Sequence, residues 1–182
     1  MQWIDRYIEA RQADFIALSD RIWELAELSM QEYQSAACYL EALEREGFRV
    51  KNHLAGLPTA FSGSYGSGRP VIGILGEFDA LSSLSQEAGK TCCQPRIADG
   101  CGHGCGHNLL GAASLAAAVA VKHLLEQGKL AGTVVFYGCP GEEGCSGKAC
   151  MARSGLFRDL DAAICWHPGD TNEVTTGSNA GS

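Results

Sequence analysis

Glu142 and Glu143 stand side by side in the run Cys139-Pro140-Gly141-Glu142-Glu143-Gly144, straight after an apolar stretch that ends at Tyr137. Neighbouring carboxylates on a tight turn point in different directions, so one can bind a cation while the other takes a proton from water. The alternative is a solvated surface turn. Cys105-Gly106-His107 offers a thiol and an imidazole at i and i+2. In an extended segment these share a side, and Gly104 and Gly106 leave room for an ion near the backbone. A buried Cys beside a hydrogen-bonded His would read the same way. A helix that follows would favour thiolate, the form that ligates metal. Asp79, in Gly76-Glu77-Phe78-Asp79-Ala80-Leu81, and His167, in Cys165-Trp166-His167-Pro168, are less specific alone. The first could be a turn or cap residue and the second a structural His.

Position relative to the surrounding elements joins these sets. The nearly continuous apolar run 71–76 predicts a strand buried on both faces, and the runs 132–137 and 161–166 predict two more. Glu77 and Asp79 follow the first, Glu142 and Glu143 the second, and His167 the third. The small apolar residues of 109–126 predict a helix buried against a sheet, with Cys105 and His107 just before it. Upstream, Ile4, Ile8, Phe15, Leu18, Ile22 and Leu25 predict one long amphipathic helix over 4–25. A helix over 35–46 stopped by Gly47, strands over 48–52 and 59–65, a turn at 66–70 and a short helix over 146–154 complete the pattern. Strands alternating with helices imply an α/β sheet with helices on its faces, where ligands bind beyond the carboxyl ends of the strands. One crevice could therefore collect all of these side chains.

Composition narrows the partners. The 182 residues carry 14 Lys and Arg against 21 Asp and Glu, a formal charge of -7, with the basic residues scattered. No phosphate-tracking stripe can be drawn, so nucleic acid is not an expected partner. The strongly apolar stretch 109–121 falls short of the roughly 20 residues a bilayer span needs, and the N-terminal segment is of mixed charge, so a cytoplasmic protein with no membrane contact is expected. Nine cysteines without an export signal argue for thiol chemistry or metal binding over a disulfide framework. Cys38, Cys139, Cys150 and Cys165 lie in apolar contexts and are expected to be buried and inert.

Gly-Glu-Phe-Asp-Ala-Leu at 76–81, Gly-His-Gly-Cys-Gly-His-Asn-Leu-Leu-Gly at 102–111, Gly-Cys-Pro-Gly-Glu-Glu-Gly at 138–144 and Trp-His-Pro at 166–168 occur in the order and spacing of a known family. They resemble the binuclear metal amidohydrolases and peptidases, which include carboxypeptidase G, aminoacylase and the plant auxin-conjugate hydrolases. The resemblance runs over essentially the whole chain. It implies a zinc-peptidase-like three-layer α/β sandwich with a mostly parallel or mixed central sheet. It further implies two divalent metal ions, zinc or manganese, with Cys105, His107, Glu143 and His167 as ligands. Glu142 would be the general acid/base and Asp79 a carboxylate that orients a ligand. Glu77 stands where more distant relatives place a His ligand, and the resemblance gives it no role.

The activity implied is hydrolysis of the amide bond of an N-acyl amino acid, a small peptide-like substrate or a p-aminobenzoyl-glutamate-like conjugate, with Glu142 moving the proton. Members of that family continue past the His167 motif with an inserted lid or dimerisation domain and a second catalytic half that brings a further His. Residues 1–182 are therefore expected to be the N-terminal part of the catalytic domain, truncated before that domain and poorly active alone. The full-length protein would be a dimer or other homo-oligomer, or would join a partner subunit. Three readings compete. Cys101, His103, Cys105 and His107, with Cys92 or Cys93, could close a non-catalytic zinc module. Cys105 could be a nucleophile with His103 or His107 as base. The chain could also be an inactive relative.

Overall fold

A computed structural model describes residues 2–171. Strand β1 (Arg49–Lys51), β2 (Phe61–Ser67), β3 (Val71–Glu77), β4 (Gly132–Cys139) and β5 (Ala162–Ile164) form one sheet in the order β1-β2-β4-β3-β5. β4, β3 and β5 run parallel, whereas β1 and β2 join antiparallel, so the sheet is mixed. The alternation along β4 shows why both faces are covered: Val134 and Phe136 enter one core, Val135, Tyr137 and Cys139 the other. At the centre of the first core, the Tyr39 ring lies 5.5 to 5.9 Å from those of Phe61, Phe78 and Phe136. Burying each such side chain stabilises the fold by roughly 1.5–3 kcal/mol.

The helices α1 (Gln2–Ala10), α2 (Gln12–Leu25), α3 (Tyr33–Arg45) and α4 (His107–Glu126) precede the two short ones, α5 (Glu142–Cys145) and α6 (Gly147–Arg153). Ile22 of α2, Leu43 of α3 and Leu115 and Val119 of α4 pack into the first core, while Met151 of α6, with Leu156, Phe157 and Leu160 beyond it, covers the opposite face. Helices thus lie on both sides of the sheet. Gly47 ends α3 as expected: its φ is +77°, and the Phe48 and Gly47 N–H groups donate to Leu43 and Glu44 at 2.9 Å.

Several expectations are corrected. The helix over 4–25 is interrupted at Arg11, which leaves the apolar ladder and bonds Asp14 at 2.8 Å and Glu46 at 2.7 Å. The strand over 161–166 pairs only at Ala162–Ile164, and all three residues are exposed. The start of β3 is only partly buried at Val71 and Ile72, although Ile72 pairs with Ala162 of β5; Gly76 and Glu77, beyond the reach of β5, are buried. Of the cysteines expected to be buried, Cys139 is, and burial pushes its thiol up to about 12; Cys38 is half-buried, and Cys150 and Cys165 are exposed. Helix α4 begins at His107 and has 20 residues, long and apolar enough to cross a membrane by length and composition; 61% of its most apolar window is buried in the fold. It lies close on β3 because Gly111 lacks a side chain. A Cβ there would stand 2.3 Å from the Tyr39 hydroxyl and 2.6 Å from the Glu77 carbonyl oxygen.

Candidate metal centre

The parallel strands end on the same edge, and their C-terminal residues build the site. Glu77 is the last residue of β3 and lies in register with Cys139, the last of β4. Beyond Cys139 the chain turns through Gly141, whose φ is +64°, into α5, which opens with Glu142 and Glu143. Beyond β5, the Trp166 indole N–H donates to the Ser114 hydroxyl at 3.1 Å and ties the segment that carries His167 to α4. Gly106, at φ +77°, caps α4 and delivers His107 as its first residue. Cys105 and His107 are therefore not neighbours on an extended segment, as expected, but lie across a left-handed turn.

All six predicted residues come together. His107 is fully buried, and its Nδ1 lies 2.9 Å from Asp79 Oδ1. The other Asp79 oxygen accepts from the Ser29 hydroxyl at 2.7 Å and the Glu143 N–H at 3.0 Å. His107 Nε2 faces Glu77 Oε2 at 3.0 Å and Glu142 Oε2 and Glu143 Oε1 at 3.9 Å each. Cys105 Sγ lies 3.2 Å from His167 Nε2, and donor atoms of Cys105, His107 and His167 fall within 4.8 Å of one another. Glu77, His107 and Glu142 form a second such group. His107 belongs to both groups, so the site has two adjoining halves.

The electrostatics are those of a cation site. Burial by itself would lower the His107 pKa, but the Asp79 hydrogen bond and the charges of Asp79, Glu143 and Glu142 raise it. Burial would likewise raise Asp79, yet its bonds to His107, Ser29 and the Glu143 N–H hold it below its ordinary value. The Cys105 thiol is pushed up to about 11 by burial and by the Glu143, Glu142 and Asp79 carboxylates. This reverses the expected lowering by the helix N-terminus: burial and three carboxylates outweigh a fractional positive charge. A divalent cation would invert that balance, since a coordinating thiol is deprotonated outright. Three buried atoms of the site, Glu77 Oε2, His107 Nε2 and Glu143 Oε1, have no hydrogen-bond partner. Sulfur, imidazole and carboxylate donors converging on unpartnered positions fit divalent metal.

The rival arrangements are not assembled. His103 Nε2 lies 3.1 Å from the Ile22 carbonyl oxygen, and burial lowers its pKa to about 4. Cys101 lines a separate cavity with Trp23 and Arg96. Neither belongs to a donor group among the described residues. The imidazole in contact with Cys105 is His167, at 3.2 Å; His107, within 4.8 Å, is held by Asp79.

The profile of the peptidase family M20/M25/M40 matches residues 73–179. The chain belongs to that family. The M20 region thus begins within β3 and includes Glu77 and all six predicted site residues. Over 169 residues the chain is 52% identical to a subunit of the p-aminobenzoyl-glutamate hydrolase of Escherichia coli, covering 92% of this chain and 35% of that one. It is 32% identical to the human Xaa-Arg dipeptidase, covering 86% of this chain and 36% of that one. The chain therefore spans about a third of the length of these relatives. Among solved structures it resembles a Bacillus subtilis dinuclear metal binding peptidase of the M20 family, with a TM-score of 0.70 and 25% identity over 85% of this chain and 42% of that one. The mixed α/β sheet is that of M20 peptidase domains.

Sequence reasoning missed three side chains that hold this M20 site in shape. Ser29 bonds Asp79, and Glu32, fully buried, accepts from the Gly141 N–H at 2.8 Å and the Thr59 hydroxyl at 2.9 Å. Both sit between α2 and α3, far in sequence from what they hold. Lys148 pairs with Glu77. Its signal was present: it is the one basic residue between Gly132 and Cys150 and follows Glu143 closely.

Proposed function

We propose that the protein is a metal-dependent amidohydrolase or peptidase acting on the amide bond of an N-acyl amino acid or a p-aminobenzoyl-glutamate-like conjugate. The observation that carries this reading is the convergence of Cys105, His107 and His167 on one side and of Glu77, His107 and Glu142 on the other, with the buried, unpartnered Glu143 Oε1 3.9 Å from His107 Nε2. The substrate class is supported by identity to a component of a p-aminobenzoyl-glutamate hydrolase and to a dipeptidase. Cys105, His107, Glu143 and His167 would hold two divalent ions, zinc or manganese; thiolate and imidazole suit zinc, and carboxylates also accept manganese. When bound, such ions polarise a carbonyl and make water acidic enough to react near neutral pH.

The chain's own residues supply the rest. Asp79 fixes the His107 ring by taking its Nδ1, which leaves Nε2 aimed into the site. Glu142 is the more exposed of the paired carboxylates, 41% against 19% for Glu143, so it can reach an incoming water and substrate. It accepts the proton of the attacking water and returns it to the leaving amine. Glu143, whose Oε1 is buried, stays with the cation. Assembly with a different partner chain, or with a copy of itself, belongs to the same proposal, as the Escherichia coli relative is itself named as one subunit of its enzyme. So does a reducing, cytoplasmic setting, which suits nine free thiols.

The test is Glu142→Gln in the full-length protein, assayed on N-acyl amino acids and p-aminobenzoyl-glutamate with zinc or manganese. Turnover is expected to fall about 100-fold or more with metal content unchanged. Parent-like turnover in the variant would refute the assignment.

A further inference from the structure

Glu77 has no role in the reading above, yet it is buried in the site beside His107. It is 8% exposed, and its Oε2 is fully buried, 3.0 Å from His107 Nε2, without a hydrogen bond to it. The tautomer of His107 makes this contact informative. Nδ1 faces both the Asp79 carboxylate and the Asp79 carbonyl oxygen, at 2.9 and 3.1 Å, so it carries the proton. With Nδ1 engaged by Asp79, Nε2 is the ring's free position, and it faces a buried carboxylate oxygen that, like Nε2 itself, has no hydrogen-bond partner. A cation held between or beside them would satisfy both atoms at once. Glu143 Oε1, also buried and unpartnered, and Glu142 Oε2 look at the same nitrogen from 3.9 Å. Separations of 3.0 and 3.9 Å are those of donors that each sit about 2.0–2.2 Å from one ion.

The other oxygen of Glu77 is occupied. Lys148, from α6, bonds Oε1, and its ammonium is the counter-charge to this carboxylate in a cluster that also holds Asp79, Glu142 and Glu143. With Oε1 held by a lysine, Oε2 is left as a single donor with a fixed direction.

We infer that Glu77 is a metal ligand of this protein through Oε2, and that Lys148 is its positioning residue. The inference rests on the metal-dependent reading above and extends it: Cys105, His107, Glu143 and His167 give four ligands for two ions, and Glu77 is a fifth on the buried side. The lysine makes the carboxylate monodentate and offsets one negative charge of the site.

The experiment is cobalt(II) binding to the purified protein, followed by calorimetry and by the visible ligand-field spectrum, with no assay of turnover. Glu77→Gln keeps the size of the side chain but removes the anionic donor. It is expected to weaken cobalt binding by more than about tenfold and to shift the ligand-field bands. Lys148→Met leaves the carboxylate unclamped, and a loss of about tenfold with a smaller band shift is expected, as for an outer partner of a ligating group. Should Glu77→Gln fail to fold, Glu77→Asp, which shortens the arm and retains the charge, is read instead, with a weakened and shifted signal expected. Parent-like affinity and spectrum in the Glu77 variant would overturn the inference while leaving the metal site intact. A parent protein that takes up no cobalt, zinc or manganese would overturn the metal-dependent reading and this inference with it.

Discussion

The two halves of the site are held in different ways. Around His107, its two nearest partners are buried and tied: Asp79 accepts from His107, Ser29 and the Glu143 backbone, and Glu77 is fixed by Lys148. His167 and the three-residue β5 before it are exposed, and the segment is moored by one indole N–H to Ser114 and by the half-buried Cys105 thiol. The first half comes with the fold, since it is made of the ends of β3 and β4 and the start of α4. The second half hangs from the sheet edge, so its geometry depends on what it binds. Substitutions in the buried half should therefore cost stability first, and those in the exposed half should cost metal binding alone.

The sharpest break is Asp79→Ala. It strips the acceptor from a fully buried His107 and leaves Ser29 and the Glu143 N–H unpaired. Removing one partner of a buried pair costs about 3–5 kcal/mol, so urea denaturation should show a loss of that size. A loss under about 1 kcal/mol would mean that the buried half is not fixed by Asp79. Next comes Gly111→Ala, which drives a methyl group against the Tyr39 hydroxyl and the Glu77 carbonyl oxygen. Overpacking of this kind costs about 1–3 kcal/mol. Because the added methyl pushes α4 off β3, it should also part His107 from Glu77 and lower metal affinity, which calorimetry would detect.

Much of this was legible in the chain and some was not, for a physical reason. The edge on which Glu77, Glu142 and His167 stand follows from apolar runs that must be strands and from chemistry placed just after them. The glycine that ends α3 and the small residues that let α4 approach the sheet are likewise local signals. Ser29 and Glu32 were invisible because their partners are distant in sequence: Asp79 for one, Thr59 and Gly141 for the other. The break at Arg11 was missed for the same reason, since its partner Glu46 lies at the end of another helix. Local pattern located the groups that do chemistry; long-range hydrogen bonds chose how they are held.

Glu32 sharpens the comparison through pH. Burial raises its pKa above the ordinary 4.5, outweighing its bonds to Thr59 and Gly141. A raised folded-state value means the folded protein holds this proton more tightly than the unfolded chain. Its contribution is then full below about pH 4.5 and is lost as pH rises through the folded value. Glu32→Gln fixes the neutral form, so stability measured by denaturation from about pH 4 to 7 should fall less with rising pH than in the parent. Identical slopes would show that Glu32 does not titrate differently on folding.

The smallest stability effect belongs to His167→Ala, and its smallness is the point. The His167 ring is exposed, its Nδ1 bonds only the adjacent Pro168 carbonyl oxygen, and its Nε2 contacts Cys105. No buried group loses a partner when it is removed, so the melting midpoint of the metal-free protein should move by no more than about 0.5 kcal/mol allows. Cobalt uptake should nevertheless fall, because the imidazole that closes the Cys105 side of the site is gone. A large loss of stability would show that the exposed half is as firmly built into the fold as the buried one. Unchanged uptake would show that His167 lies beside the metal centre without belonging to it.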